Sequence, residues 1–243
     1  MLLKAYAKVN LVLKVLGKND YNYHNLQMLN AKIDLYDQID VKKNNKKNDL
    51  VKFRGLNQEN IKDDLVLRCI NIIKNYYNID DCFDITITKQ IPIGAGMGGG
   101  SCDVATIVKY LLRRYHIEED LNQLIHLLKD QSADIPYCLT NKIAFVEGIG
   151  EKVSEIFVAI PDECILVNPH ISISTKEVFE KVKNYSKPLT KDSLMKQIAT
   201  KGYSIFNNDL EEAAFLLYPQ LQEIKNNLNE IMIDEYQDTS DIQ

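Results

Sequence analysis

Between residues 5 and 16, Val9, Leu11, Leu13 and Val15 alternate with Lys8, Asn10, Val12 and Lys14. A period of two predicts a strand, and it puts Lys8 and Asn10 on one face. Residues 20–24 read as a turn and 26–36 as a second extended or mixed segment. The Lys/Asn-rich run 42–49 lies between strand-like stretches and predicts a solvated hairpin tip. Leu65, Val66, Cys69, Ile70, Ile72 and Ile73 form a broad apolar face, predicting a helix over 63–77. Phe83, Ile85 and Ile87 then alternate with Asp84, Thr86 and Thr88, a strand. A helix follows over 102–115, with Val104, Ile107, Val108, Leu111 and Leu112 inward, and another over about 119–130. Short strands are expected at 143–147 and 164–167. Ser174 and Glu177 form a capping box that starts a helix at about Thr175. Two more helices are expected, at 208–217 and 219–231, with Pro219 opening the second. Strands and helices mix without regular βαβ alternation, so the expected fold class is α+β. The pattern restarts near 155–165, a modest domain boundary.

Composition narrows the function classes. The 243 residues are 45% hydrophobic and 26% charged, which suits one large or two small globular domains. A net charge of −5 argues against a nucleic-acid binder. The five cysteines contain no CxxC pair, which points to free thiols in a reducing compartment and away from a metal cluster. No apolar run approaches the ~20 residues of a membrane span, and Lys4 interrupts the N-terminus too early for a signal peptide. The expected setting is cytoplasmic, with a small-molecule partner and neither nucleic acid nor membrane.

The strongest chemical signal is IPIGAGMGGGS at 91–101, between the predicted strand and the predicted helix. Glycines there let the backbone approach a ligand and converge N–H groups, and the helix adds its positive end. The product is a phosphate site. It is not a lysine-bearing phosphate loop, because no lysine precedes Ser101. Nor does it read as a dinucleotide fingerprint: where the ribose-binding acid is expected, about 20 residues on, the helix is still running into Arg113 and Arg114.

The segment 92–101 closely resembles the ATP loop of the GHMP kinases. Further motifs are similar to those of the branch that phosphorylates a cytidyl-bearing alcohol in non-mevalonate isoprenoid synthesis. These are AKVNL at 7–11, YH at 23–24 with LQ at 26–27, SADIP at 132–136, AFVEG at 144–148, NP at 168–169 and NDLE at 208–211. The resemblance implies an N-terminal ATP-binding domain over 1–158 and a partial C-terminal domain over 159–232. It implies ATP and Mg²⁺, with Pro92, Ile93, Gly94, Ala95, Gly96, Met97, Gly98, Gly99, Gly100, Ser101 and Cys102 at the nucleotide and Ser101 reaching Mg²⁺. Lys8 and Asp134 match the catalytic pair. Tyr23 and His24 match residues that recognise the cytidyl group, Phe179 matches a ring on the other side of the base, and Asn10 and Thr175 are polar substrate contacts. Other GHMP kinases, such as homoserine or mevalonate kinase, and an ATP-binding remnant without turnover are the alternatives.

The end of the chain departs from the family pattern. GHMP kinases carry a third glycine-rich motif after the helix ending here near Met232, and the only glycine after Gly150 is Gly202. Residues 233–243 instead resemble a segment of superfamily-one DNA helicases. The expectation is a truncated kinase with a non-family tail, exposed apolar surface on the second domain, reduced stability, and weak or absent activity.

Overall fold

The computed structural model describes residues 2–55, 65–140 and 142–238, with side chains through residue 228. Its frame is a long antiparallel hairpin of β1 (Leu2–Lys18) and β2 (His24–Asn44). On the edge of β2 opposite β1, β5 (Ala144–Gly148) pairs with residues 26–30 and β4 (Cys82–Lys89) with residues 38–44. β6 (Lys152–Glu155) continues beyond β5, and β3 (Leu50–Gly55) runs parallel to β4. The run 42–49 is therefore not a hairpin tip, because β4 lies between β2 and β3. A parallel neighbour needs a crossover, which α1 (Leu65–Tyr77) supplies between β3 and β4. The run remains solvated, and Lys43 and Lys46 pair with Asp81 and Asp84 at 2.7 and 3.0 Å.

The helices α1, α2 (Gly99–Arg114), α3 (Leu121–Leu128) and the single turn α4 (Ile135–Cys138) build the larger core with the sheet. Ile85 and Ile87 meet Ile70, Ile73, Val104, Ile107 and Leu111 there, as their periodicities predicted. A second core joins Val12, Leu29, Phe145 and Ile156 to Leu194 and Ile198 of α6 (Lys191–Lys201). Simple alternation along β1 fails at this point. The register slips between Asn10 and Val12, so Leu11 and Val12 both pack on the second core and Leu13 on the first. One extra residue inverts every later side chain.

α6 was not expected from the pattern because only Leu194 and Ile198 of its residues are buried, too narrow a stripe to read. α5 (Thr175–Lys181) begins as predicted, with the Glu177 N–H donating to Ser174 Oγ at 3.3 Å. α7 (Glu211–Leu217) starts later than 208 because the preceding residues line the outer edge of β1. Leu13 N–H donates to Asn207 O, Asp209 N–H to Leu13 O, and Val15 N–H to the Asp209 carboxylate, each at 2.9 Å. These bonds cover what would otherwise be an open sheet edge. The strand expected at 164–167 does not form. No described strand lies beside it, and Ile165 is 93% exposed, with Leu166 and Val167 also exposed. α8 (Pro219–Asp238) outlasts its predicted end, so residues 233–238 of the tail are helical. Residues 239–243 lie outside the described residues.

Asn30 on β2 is 1% exposed, and neither its Oδ1 nor its Nδ2 has a hydrogen-bond partner. An unmet buried polar group costs about 1–3 kcal/mol. Asn30→Leu, near in size and without those atoms, is expected to raise the melting temperature by several degrees, about 2–4 °C per kcal/mol in a chain of this length. Thermal unfolding followed by circular dichroism checks it; an unchanged or lower midpoint refutes it.

Candidate active site

The glycine loop leaves β4 and enters α2, as expected. Gly94, Gly96 and Gly98 have φ of 74°, 69° and 65°, a left-handed residue at every second position. Side chains rarely tolerate that region. A Cβ at Gly94 or Gly96 would meet nothing within 4 Å, so the space over the loop is open to a ligand. The loop walls a cleft of about 400 Å³ that residues 92–100 line throughout. Ser101 and Cys102 stand behind it, both buried. Ser101 Oγ lies 3.0 Å from Ser132 Oγ, and Cys102 Sγ lies 3.1 Å from Cys138 Sγ. The Cys102 contact, with burial and the Cys102 and Asp134 charges, pushes the Cys138 thiol well above its ordinary range.

Lys8, Gly98 and Asp134 converge. The β1 register slips between Tyr6 and Lys8, where the Lys8 N–H donates to Met97 O at 3.1 Å. A bulge of this kind re-aims a side chain. Lys8 is 3% exposed, and its Nζ lies 3.2 Å from Asp134 Oδ1 and donates to Asn10 Oδ1 at 3.1 Å. The shared face predicted for Lys8 and Asn10 is thus formed. Asp134 stands at the head of α4 with its side chain 35% exposed, so one member of the ion pair faces the opening. A Cβ on Gly98 would come within 3.2 Å of Lys8 Cγ and Cε and 3.7 Å of Asp134 Oδ2. Glycine is needed here for its φ and for the close approach of Lys8.

Several site residues escaped the sequence reading. Phe53, Leu65, Val66, Lys89 and Asp103 also line the cleft, together with Ile91 at the start of the loop already singled out. Lys89 is buried between Asp37, which it contacts closely, and Asp103 at 2.8 Å. The other Asp37 oxygen accepts the N–H groups of Gln90 and Ile91 at 2.6 and 2.9 Å, anchoring the start of the loop. Burial pushes the Asp103 carboxyl up to about 8 against the pull of Lys89, and one of its oxygens has no partner. Lys89 and Asp103 flank the loop and could have been suspected from it; Asp37 carries no local signal.

Among the residues matched to substrate recognition, Phe179 stacks on His24, with ring centroids 5.0 Å apart and planes at 22°. Burial, then the Lys18 charge, lowers the His24 pKa. The ring is therefore neutral at pH 7, and its Nε2 is buried without a partner. Tyr23, 63% exposed, points outward and makes no stacking contact with Phe179 in this structure. Thr175 lies one turn before Phe179 on α5, at the i, i+4 spacing that shares a face.

Residues 64–142 match the model of the GHMP kinases N-terminal domain. The 4-diphosphocytidyl-2-C-methyl-D-erythritol kinase of Lachnoclostridium phytofermentans is 35% identical over 236 residues, covering 93% of this chain and 80% of that protein. The chain belongs to the 4-diphosphocytidyl-2-C-methyl-D-erythritol kinases of the GHMP family. Another such kinase, from Clostridium botulinum strain Langeland, is 35% identical over 240 residues, covering 95% of this chain and 84% of that one. A crystal structure of 4-(cytidine 5'-diphospho)-2C-methyl-D-erythritol kinase superposes with a TM-score of 0.75 at 26% identity, covering 95% of this chain and 83% of that one. Mevalonate diphosphate decarboxylase from Legionella pneumophila, at 15% identity and a TM-score of 0.60, shares the fold. The α+β GHMP-kinase fold and the kinase class expected from the motifs are thereby shown for this 4-diphosphocytidyl-2-C-methyl-D-erythritol kinase family member. The helicase likeness of residues 233–243 finds no support in these relatives.

Proposed function

We propose that this chain transfers the γ-phosphoryl group of ATP to the 2-hydroxyl of 4-diphosphocytidyl-2-C-methyl-D-erythritol in non-mevalonate isoprenoid synthesis. The observation that carries the reading is the meeting of the glycine loop, Lys8 and Asp134 at Gly98. Phosphoryl transfer needs mainly positioning and electrostatic stabilisation. Asp134 accepts or orients the proton of the substrate hydroxyl. Lys8, held by Asn10 and paired with that carboxylate at 3.2 Å, offsets charge on the transferred group. The left-handed glycines and the head of α2 cradle phosphate.

ATP supplies the phosphoryl group, and Mg²⁺ supplies charge that offsets its oxygens. The described residues hold no cluster of three His, Cys, Asp or Glu side chains, which fits an ion carried chiefly on phosphate. Ser101 Oγ, bonded to Ser132 Oγ behind the loop, is the side chain that would contact such an ion. His24 and Phe179 are the base-recognition pair, with Tyr23 closing over the base and Asn10 and Thr175 meeting the rest of the substrate. In this reading residues 1–158 bind ATP, and 159–232 bring Thr175 and Phe179 to the substrate. No described helix is long and apolar enough to cross a membrane, and five free thiols support a reducing, cytoplasmic setting.

An ATP-turnover panel tests the proposal. The cytidyl substrate is expected to be consumed, with homoserine and mevalonate inert, because neither has a base to stack on Phe179. Turnover of either in preference to the cytidyl substrate, or ATP binding with no turnover of any, would overturn it.

A further inference from the structure

Tyr185 lies in the connection 182–190 between α5 and α6, a segment to which the motifs assign nothing. Its ring centroid is 6.3 Å from that of His24, tilted by 53°. Two aromatic rings, those of Phe179 and Tyr185, therefore gather on His24, whose Nε2 is buried without a partner. Tyr185 is 49% exposed, so its ring is not a core side chain.

Its backbone is nevertheless fixed. The Ser186 N–H donates to Val15 O at 2.8 Å. A little further on, the Gln27 carboxamide brackets Leu189, accepting its N–H and donating to its carbonyl, both at 2.8 Å. Gln27 is itself 5% exposed and braced by Glu147 Oε1 at 3.0 Å. The connection is thus tied to β1 and to β2 beside the aromatic cluster. An exposed ring on a pinned backbone is pre-organised for a ligand, since little ordering cost remains to be met on binding. Tyrosine suits the task, giving a large rigid contact with only two side-chain torsions.

We infer that Tyr185 is a third aromatic wall of the base pocket and a specificity residue for the cytidyl group, held in place by the Gln27 clamp. The inference rests on the reading of His24 and Phe179 as base-binding residues. The ligand class is a nucleoside diphosphate with a planar pyrimidine base. It packs against the rings while the neutral His24 meets the polar edge of the base.

The test is isothermal titration of 4-diphosphocytidyl-2-C-methyl-D-erythritol, without ATP, into the wild-type chain, Tyr185→Ala, Tyr185→Phe and Phe179→Ala. ATP affinity is measured on the same samples. Loss of one base-stacking ring is expected to weaken cytidyl-substrate binding about tenfold in Tyr185→Ala. ATP affinity should stay unchanged, and Tyr185→Phe should bind as wild type. Wild-type binding by Tyr185→Ala, with Phe179→Ala weakened, overturns the inference and leaves the base-pocket reading standing. Wild-type binding by both alanine variants, or no binding by the wild type, overturns both. A parallel fall in ATP affinity in Tyr185→Ala marks a structural role and also overturns the inference.

Discussion

Replacing Asp134 with asparagine is expected to lower turnover of the cytidyl substrate by about 10²- to 10⁴-fold, the range of a lost general base, with ATP affinity kept. Asparagine has the same shape, and the backbone bonds that seat the residue persist. These are its N–H to Ser132 Oγ at 3.4 Å and its carbonyl from Cys138 N–H at 3.0 Å. The change therefore removes charge and proton acceptance but leaves the turn. It also strips the buried Lys8 of its ionic partner, leaving it only neutral amide oxygens to donate to. Parallel measurement of kcat and of ATP binding separates chemistry from nucleotide affinity. Equal turnover in the two proteins would take Asp134 out of the mechanism.

Gly98→Ala is expected to be nearly as damaging, lowering kcat/KM by about 10²-fold or more, in line with the loss that a small misplacement of reacting groups produces. Two costs add. A left-handed conformation costs a non-glycine residue roughly 1–2 kcal/mol. The new Cβ also sits 3.2 Å from two carbons of the Lys8 stem. Lys8 has little room to yield, since it is buried and tied to both Asp134 and Asn10. Gly96→Ala is the control. Its φ of +69° brings the same backbone strain, but nothing stands within 4 Å. Steady-state kinetics on both variants should show the larger kcat loss at Gly98. Equal losses would mean that backbone strain, not displacement of Lys8, is the cause.

The elements that could be read from the sequence are those whose causes lie within about one helical turn. The glycine loop shows itself by composition and by its place between an alternating segment and a 3.6-period one. The start of α5 follows from Ser174 and Glu177, three residues apart. The common face of Lys8 and Asn10 follows from a period of two, and the Lys8–Asn10 bond at 3.1 Å agrees. Where local patterning met a tertiary demand, it gave way. The slip after Asn10 moved Leu11 to the second core, the run 42–49 became a link past β4, and 164–167 found no strand to pair with.

The sequence by itself determined the glycine loop and the kinase family, and it supplied the groups proposed to carry the chemistry. Tertiary structure alone decided which of them meet. It turned Ser101 and Cys102 away from the cleft, brought Asp37 under the loop beside Lys89, and stacked Phe179 on His24 with Tyr23 outside. It also joined Gln27 to Leu189, 162 residues away. The physical reason is range. Periodicity, capping and glycine φ are set by near neighbours along the chain. A contact such as Lys8–Asp134 or Gln27–Leu189 exists only once strand register and helix packing have closed the distance.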